Sequence, residues 1–294
     1  GPVLAEPTAS AVSGRPDNMP AIVHYAGSLA RSAILVPLKA GPVSVKALRH
    51  PLGSAASAFS IAASVSRTVR PIPRPGSPIM LDRSIIRRPC VHEVPIAALR
   101  RAGRYGGGTV NDAFIAAVTA GLRRYHEYHG SPVSQLFVSM PISLRTPTDP
   151  MGGNQATLMR FDVPAAITDS AQRIRMIHEQ TLKTRSEKSL AYTQFIAGAL
   201  NRMPRWYVSS VLRHVDFVAS DVPGFPVPVS FAGAAVRMQY AFSPTIGAAV
   251  NATLLSYVDT CAIGVNVDTA AIPDLDAFHD CLVAGFDEVI ALAG

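Results

Sequence analysis

Gly106-Gly107-Gly108-Thr109-Val110-Asn111-Asp112 is the stretch from which the rest of the chain can be read. Three glycines permit backbone angles closed to other residues. Thr109 and Asp112 have the spacing of a helix start, where a hydroxyl and a carboxylate satisfy the first free N–H groups. Behind them Val110, Phe114, Ala117, Val118, Gly121, Leu122 and Tyr125 recur at helical spacing. This predicts a helix from Ala113 to about Tyr128 with one face in the core. Arg123, Arg124 and Glu127 fall off that face. A polar Asn-Asp pair is held at the mouth of a buried helix, and the simplest role for both residues is capping.

Upstream, Val91 to Pro95 is a predicted strand and Ile96 to Arg104 a short helix. A dinucleotide fingerprint needs a strand directly before its glycines, and here a helix precedes them and Asn111 stands at the third glycine position. No GK[ST] follows, so a phosphate-binding P-loop is excluded as well. Downstream, Gln135 to Ile142 and residues 155–163 read as strands, with Gly152-Gly153-Asn154 a turn before the second. Asp169 starts a helix to about Lys188 that turns Ile174, Ile177, Thr181 and Leu182 inward; a further helical stretch covers 190–202. Val215 to Ala219 is a short strand. The prolines of Ser220-Asp221-Val222-Pro223-Gly224-Phe225-Pro226 cannot donate ladder hydrogen bonds, which predicts a loop or an edge crossing. Ala248 to Tyr257 and Cys261 to Val267 form a hairpin around Val258-Asp259-Thr260. Its second strand alternates Ile263, Val265 and Val267 with Gly264, Asn266 and Asp268, one core face and one polar face. Pro273 and Asp274 open a last helix whose buried side is Leu275, Phe278, Leu282, Phe286 and Val289. Strands and helices without regular βαβ alternation indicate an α+β fold, a mixed sheet with packed helices.

The 294 residues are 48% hydrophobic and 16% charged, a globular composition with a formal charge of +7. The charge is uneven: residues 1–108 hold 14 Lys/Arg against 4 Asp/Glu, the remainder 13 against 16. A basic third suits a membrane surface or an anionic substrate such as coenzyme A; aromatic residues are scarce there and no nucleic-acid motif accompanies it, so nucleic acid is not an expected partner. Cys90, Cys261 and Cys281 make an odd count without a CxxC pair, which suits a reducing, cytoplasmic setting. Residues 1–20 read as a linker behind the scar of a cleaved tag (Gly1-Pro2). Residues 21–77 read as a helical segment ending in a proline-rich boundary, and residues 78–294 as the main domain.

No self-contained catalytic set is visible. His126-Glu127-Tyr128-His129 is not a zinc-protease HExxH, and no G-x-S-x-G elbow or calcium-loop spacing occurs. Cys90 and His92 share a strand face and read as structural. His24, His50, His178, His214 and His279 stand alone in the sequence.

Five blocks, taken in order, resemble the C-terminal half of the bacterial wax ester synthase/diacylglycerol acyltransferase family. They are Gly108-Thr109-Val110-Asn111-Asp112, Met140-Pro141-Ile142-Ser143-Leu144-Arg145, Gly153-Asn154, Ser220-Asp221-Val222-Pro223-Gly224, and Leu255-Ser256-Tyr257 with Gly264-Val265-Asn266-Val267-Asp268 and Pro273-Asp274. The resemblance runs from about Pro78 to the end, and residues 21–75 look like the family's helical crossover. Two departures stand out. The family's HHxxxDG motif, whose second histidine is the general base, occurs nowhere in these residues. Asp221 replaces the asparagine of the usual Ser-Asn-Val-Pro-Gly, and an ionised carboxylate cannot donate a hydrogen bond as an amide does.

The resemblance implies a lobe like those of chloramphenicol acetyltransferase and peptide-synthetase condensation domains, the CoA-dependent acyltransferase fold. It implies transfer of a long-chain acyl group from acyl-CoA to diacylglycerol or a fatty alcohol, without a cofactor, and with the catalytic base on an N-terminal lobe. Within this chain, Asn111, Asp112 and Arg145 are expected to support that base, Asp112 and Arg145 as an ion pair. Ser220, Asp221, Val222, Pro223, Gly224, Asn251, Asn266 and Asp268 are expected to line or support the substrate channel. A peripheral association with the inner membrane or lipid bodies fits the basic first third. Two other readings stand beside this one: a non-enzymatic acyl-CoA or lipid-binding module, and a complete enzyme using an internal histidine such as His92.

Overall fold

Thr109 closes the capping box that its spacing predicts: its side chain and that of Asp112 bond each other's backbone N–H groups. The computed structural model describes residue 72 and residues 74–143, 156–186 and 214–293. In chain order these hold β1 (Arg87–Pro95), α1 (Ile96–Tyr105), α2 (Val110–Tyr128), β2 (Gln135–Ser143), β3 (Ala156–Pro164), α3 (Ser170–Arg185), β4 (Phe217–Val222), β5 (Ser230–Phe231), β6 (Ala234–Ala235), β7 (Val250–Tyr257), β8 (Thr260–Asp268) and α4 (Leu275–Ile290). The expected helical stretch 190–202, the turn at Gly152-Gly153-Asn154, Arg145 and the segments 1–20 and 21–71 lie outside the described residues.

Six of these strands form one mixed sheet in the order β1-β8-β7-β4-β2-β3. β4 runs parallel to both β2 and β7, and the remaining pairs are antiparallel. The four helices pack with the sheet around one core. Phe114, Ala117, Val118 and Leu122 of α2 meet Phe278, Leu282, Phe286 and Val289 of α4 there, together with Val138, Phe217, Leu254 and Ile263 of the sheet. The helical spacing of the apolar residues in α2 and α4 is therefore the spacing of their contacts. α2 is buried more completely than its stripe indicated, and Arg123 is enclosed as well.

Two sequence expectations are corrected. Ser220-Asp221-Val222 is not a loop: it is the C-terminal half of β4, paired with Thr253-Leu254-Leu255 of β7. Pro223 follows the last paired residue, so its missing N–H costs the ladder nothing. The polar face of β8 is not open: seven of its nine residues are buried. The chain at 243–245 crosses that face, where Ser243 and Pro244 accept hydrogen bonds from the amides of Asn266 (3.3 Å) and Asn251 (2.7 Å).

Next to the start of β4, Gly76 and Ser77 donate their backbone N–H groups to the buried carboxylate of Asp216, which also takes the N–H of Phe137. Ser77 Oγ lies 2.8 Å from Nε2 of His126, whose Nδ1 faces the Leu122 carbonyl. This Ser–His contact is fully enclosed and fixes the chain before β1.

Candidate active site

The glycine run serves helix packing. A Cβ on Gly106 would stand 2.6 Å from Cβ of Ile174, and one on Gly108 would stand 2.9 Å from Cγ2 of the same residue. Without those atoms α3 comes close enough for His178, one turn after Ile174, to reach across to α2. Its Nδ1 lies 2.8 Å from Oδ2 of Asp112. The same oxygen accepts Thr109 N–H at 2.8 Å and Thr109 Oγ1–H at 2.7 Å. Asp112 is thus both the cap and the partner of a histidine. Among the described residues, the second oxygen of Asp112 is buried without a partner, as is Oδ1 of Asn111. Asn111 donates through Nδ2 to the sulfur of Met140 on β2, 2.9 Å away.

His178 was not singled out by the sequence, where it stands 66 residues from Asp112. The available signal was its place on α3, four residues after Ile174 and three before Thr181, beside the inward face.

β2 and β4 part beside this helix mouth. Their pairing ends at Ser139 and Val218, whereas β4 continues along β7 to Val222. Asn111 rests on Met140, the first β2 residue past that point. From the opposite side, Asp221 follows Phe217 and Ala219 on the helix-facing side of β4. Asp221 is exposed, yet neighbouring atoms are dense enough that burial raises its carboxyl above the ordinary value. Asn111, through Met140, and Asp221 thus both lie past the point where β2 and β4 part, near the C-terminal ends of two parallel strands, where the binding crevices of open parallel sheets usually lie.

The remaining expected residues lie elsewhere. Ser220 faces the other side of β4 with Val218. Asn251 and Asn266 hold the crossing chain described above. Gly224 donates its N–H to Ser256 Oγ at 3.2 Å, next to exposed Val222 and Pro223. Asp268 is fully buried and accepts from Ser84 N, Ser84 Oγ and Ala270 N, with Arg87 Nη1 at 3.0 Å. These bonds make Asn251, Asn266 and Asp268 internal ties of the domain rather than exposed groups.

Burial alone would raise the Asp268 carboxyl, but the Ser84 and Ala270 bonds and the charge of Arg87 outweigh it and hold it below 3.8. A carboxyl lowered by folding stabilises the fold above its unfolded value, and that contribution is lost as pH falls through the folded one. Urea unfolding of the wild type is therefore expected to weaken below about pH 4. Asp268→Asn should be less stable than wild type at pH 6, and the gap should narrow at pH 3. A gap that is constant with pH would refute the assignment.

Cys90 and His92 do not form a nucleophile pair. Burial pushes the Cys90 thiol up to about 11. It lowers the His92 imidazole, whose Nε2 has no partner among the described residues and whose ring packs on Phe286 at 5.1 Å. Among the described residues no group of His, Cys, Asp and Glu has the makings of a metal site, and no helix is long and apolar enough to cross a membrane.

Residues 152–289 match the WS/DGAT C-terminal domain. The chain carries the C-terminal domain of the wax ester synthase/diacylglycerol acyltransferase family. A putative diacylglycerol O-acyltransferase of Mycobacterium tuberculosis is 34% identical over 252 residues, which are 85% of this chain and 51% of that protein. A second from the same organism is 26% identical over 234 residues, 75% of this chain and 46% of its own length. The chain spans about half the length of the curated relatives it matches. The fold of this WS/DGAT domain is also that of a wax ester synthase/diacylglycerol acyltransferase from Marinobacter aquaeolei. That structure superposes with a TM-score of 0.58 at 22% identity, over 80% of this chain and 56% of the other. A peptide-synthetase cyclization-docking bidomain from Sorangium cellulosum superposes at 0.56 and 18% identity, over 85% and 51%. The condensation-like architecture expected from the five sequence blocks is thus the one observed.

Proposed function

We propose that this domain is the C-terminal lobe of an acyl-CoA-dependent O-acyltransferase, which moves a long-chain acyl group onto diacylglycerol or a fatty alcohol. The observation that carries the reading is the extended similarity to diacylglycerol O-acyltransferases, 34% identity across 85% of the chain. The parted C-terminal ends of β2 and β4, beside Asn111 and Asp221, are where the acyl and acceptor chains would meet. A base within HHxxxDG would approach from an N-terminal lobe, and the parted ends of β2 and β4 would form the facing wall. Arg145 remains a proposed partner of Asp112. The basic residues before the domain would meet CoA phosphates or an anionic membrane or lipid-body surface from the cytoplasmic side.

The test is acyl transfer from palmitoyl-CoA to dioleoylglycerol and to hexadecanol, with the chain alone and with the HHxxxDG half of a relative supplied in trans. We expect ester formation to rise at least tenfold on addition of the second half. Tight palmitoyl-CoA binding without ester under either condition would favour the non-enzymatic binding module instead.

A further inference from the structure

We infer that His178, held through Nδ1 by Asp112, is a proton-transfer residue of this domain, acting at Nε2 on an alcohol or water hydroxyl at the mouth of α2. The inference rests on the acyl-CoA reading above and adds a base that belongs to this domain itself.

The geometry is that of an oriented histidine. Oδ2 of Asp112 is an acceptor for two Thr109 donors and for His178, so the ring nitrogen facing it carries the hydrogen. In the neutral ring this leaves Nε2 with its lone pair. A general base needs that arrangement: one nitrogen fixed by an acceptor, the other within reach of a hydroxyl. The His178 side chain keeps 27% of its surface while its partner Asp112 keeps 2%, so the orienting group is sealed and the ring is reachable.

Other described histidines lack one of these features. His126 has both nitrogens engaged and is buried. Nε2 of His92 is enclosed against the core. His279 uses Nε2 on the Val91 carbonyl, and His214 faces the Ile72 carbonyl. Among the described residues only His178 contacts a carboxylate. Among the described residues, Oδ1 of Asp112 and Oδ1 of Asn111 are buried acceptors with no donor. Orphaned buried acceptors are costly, and a pair of them beside an accessible imidazole suits a substrate that brings N–H or O–H groups.

The step balances within acyl-CoA chemistry. Nε2 takes the hydroxyl proton as the oxygen attacks the thioester carbonyl. The C–S bond breaks, and the imidazolium returns the proton to the CoA sulfur. An alcohol yields an ester and free CoA; water yields a fatty acid and free CoA. The water reaction needs no second lobe, so it tests the residue in this chain directly.

The experiment measures palmitoyl-CoA binding by calorimetry and thiol release from palmitoyl-CoA for the purified chain across pH 5 to 9. Thermal unfolding of each variant is recorded alongside. We expect slow release above background, lowered at least tenfold by His178→Gln with binding and unfolding midpoint retained. His279→Gln should match wild type. Asp112→Asn should slow release with palmitoyl-CoA binding retained, because the ring loses the carboxylate that fixes its Nδ1–H. Binding with no wild-type release, or with release unaffected by His178→Gln, overturns this inference and leaves the acyl-CoA reading standing. Absence of binding overturns both.

Discussion

Glu288→Ala is expected to destabilise the domain by about 3–5 kcal/mol, the usual cost of removing one member of a buried ion pair. Glu288 lies near the C-terminal end of α4 and is the shared anion of three arginines. Its Oε2 accepts Arg123 at 2.8 Å and Arg124 at 2.7 Å, and its Oε1 meets Arg173 and Ser170. Arg173 has no exposed surface, and its other amino group bonds the Ile167 carbonyl. Burial lowers the Arg173 guanidinium from its ordinary value, with Glu288 opposing the fall. Taking the carboxylate away leaves that cation enclosed without a counterion, while Glu127 compensates Arg123 alone. α2, α3 and α4 lose their common tie at once. Urea unfolding checks the size, and the double variant Arg173→Met with Glu288→Gln checks the cause. The pair should cost clearly less than the sum of its single changes. Additive losses, or a Glu288→Ala loss below about 1 kcal/mol, would reduce the network to surface charge.

Gly285→Val should be the most disruptive single change in the helix layer. A Cβ at Gly285 would stand 2.4 Å from the Gly121 nitrogen and 2.7 Å from the Ala117 carbonyl. Both are backbone atoms of α2 and have no rotamer to change, so the two helices must separate. Overpacking a core costs about 1–3 kcal/mol when side chains can adjust, and here they cannot. An exposed helical glycine would instead gain about 1 kcal/mol on replacement by alanine, so the clash decides the sign. We expect Gly285→Ala to lower the unfolding midpoint and Gly285→Val to abolish cooperative unfolding. Gly107→Ala provides the comparison: φ there is 77° and nothing lies within 4 Å of the added atom. Its cost should stay near 1–2 kcal/mol, the backbone term alone. Equal effects at positions 107 and 285 would show that α2 and α4 are not in the contact described.

The capping box at Thr109 and Asp112, the buried stripe of α4 and the hairpin of β7 and β8 were all legible before any coordinates. Each depends on residues within about a helical turn or across one tight turn, so spacing alone encodes it. Ser220-Asp221-Val222 reads as a loop or an edge crossing because prolines follow it closely in the same segment. Only the position of β7 shows that pairing stops at Val222. The alternation of Asn266 and Asp268 was read correctly as a face, but not what covers it: the crossing chain at 243–245 has no periodicity of its own.

The site divides along the same line. Asn111 and Asp112 were marked by the sequence, because a cap is a local device. That Asp112 also holds His178, that Asn111 rests on Met140, and that Asp221 pairs with Leu254 of β7 are facts of packing between segments far apart in the chain. So is the anion at Glu288, whose three arginines come from two other helices. By itself the sequence determined the helices and most of the strands, their caps and the family to which the domain belongs, since those rest on short-range spacing and on blocks kept in order. Tertiary structure alone decided which polar groups meet. Their contacts are fixed by how closely helices with glycine at their crossings approach, and no local pattern encodes that distance.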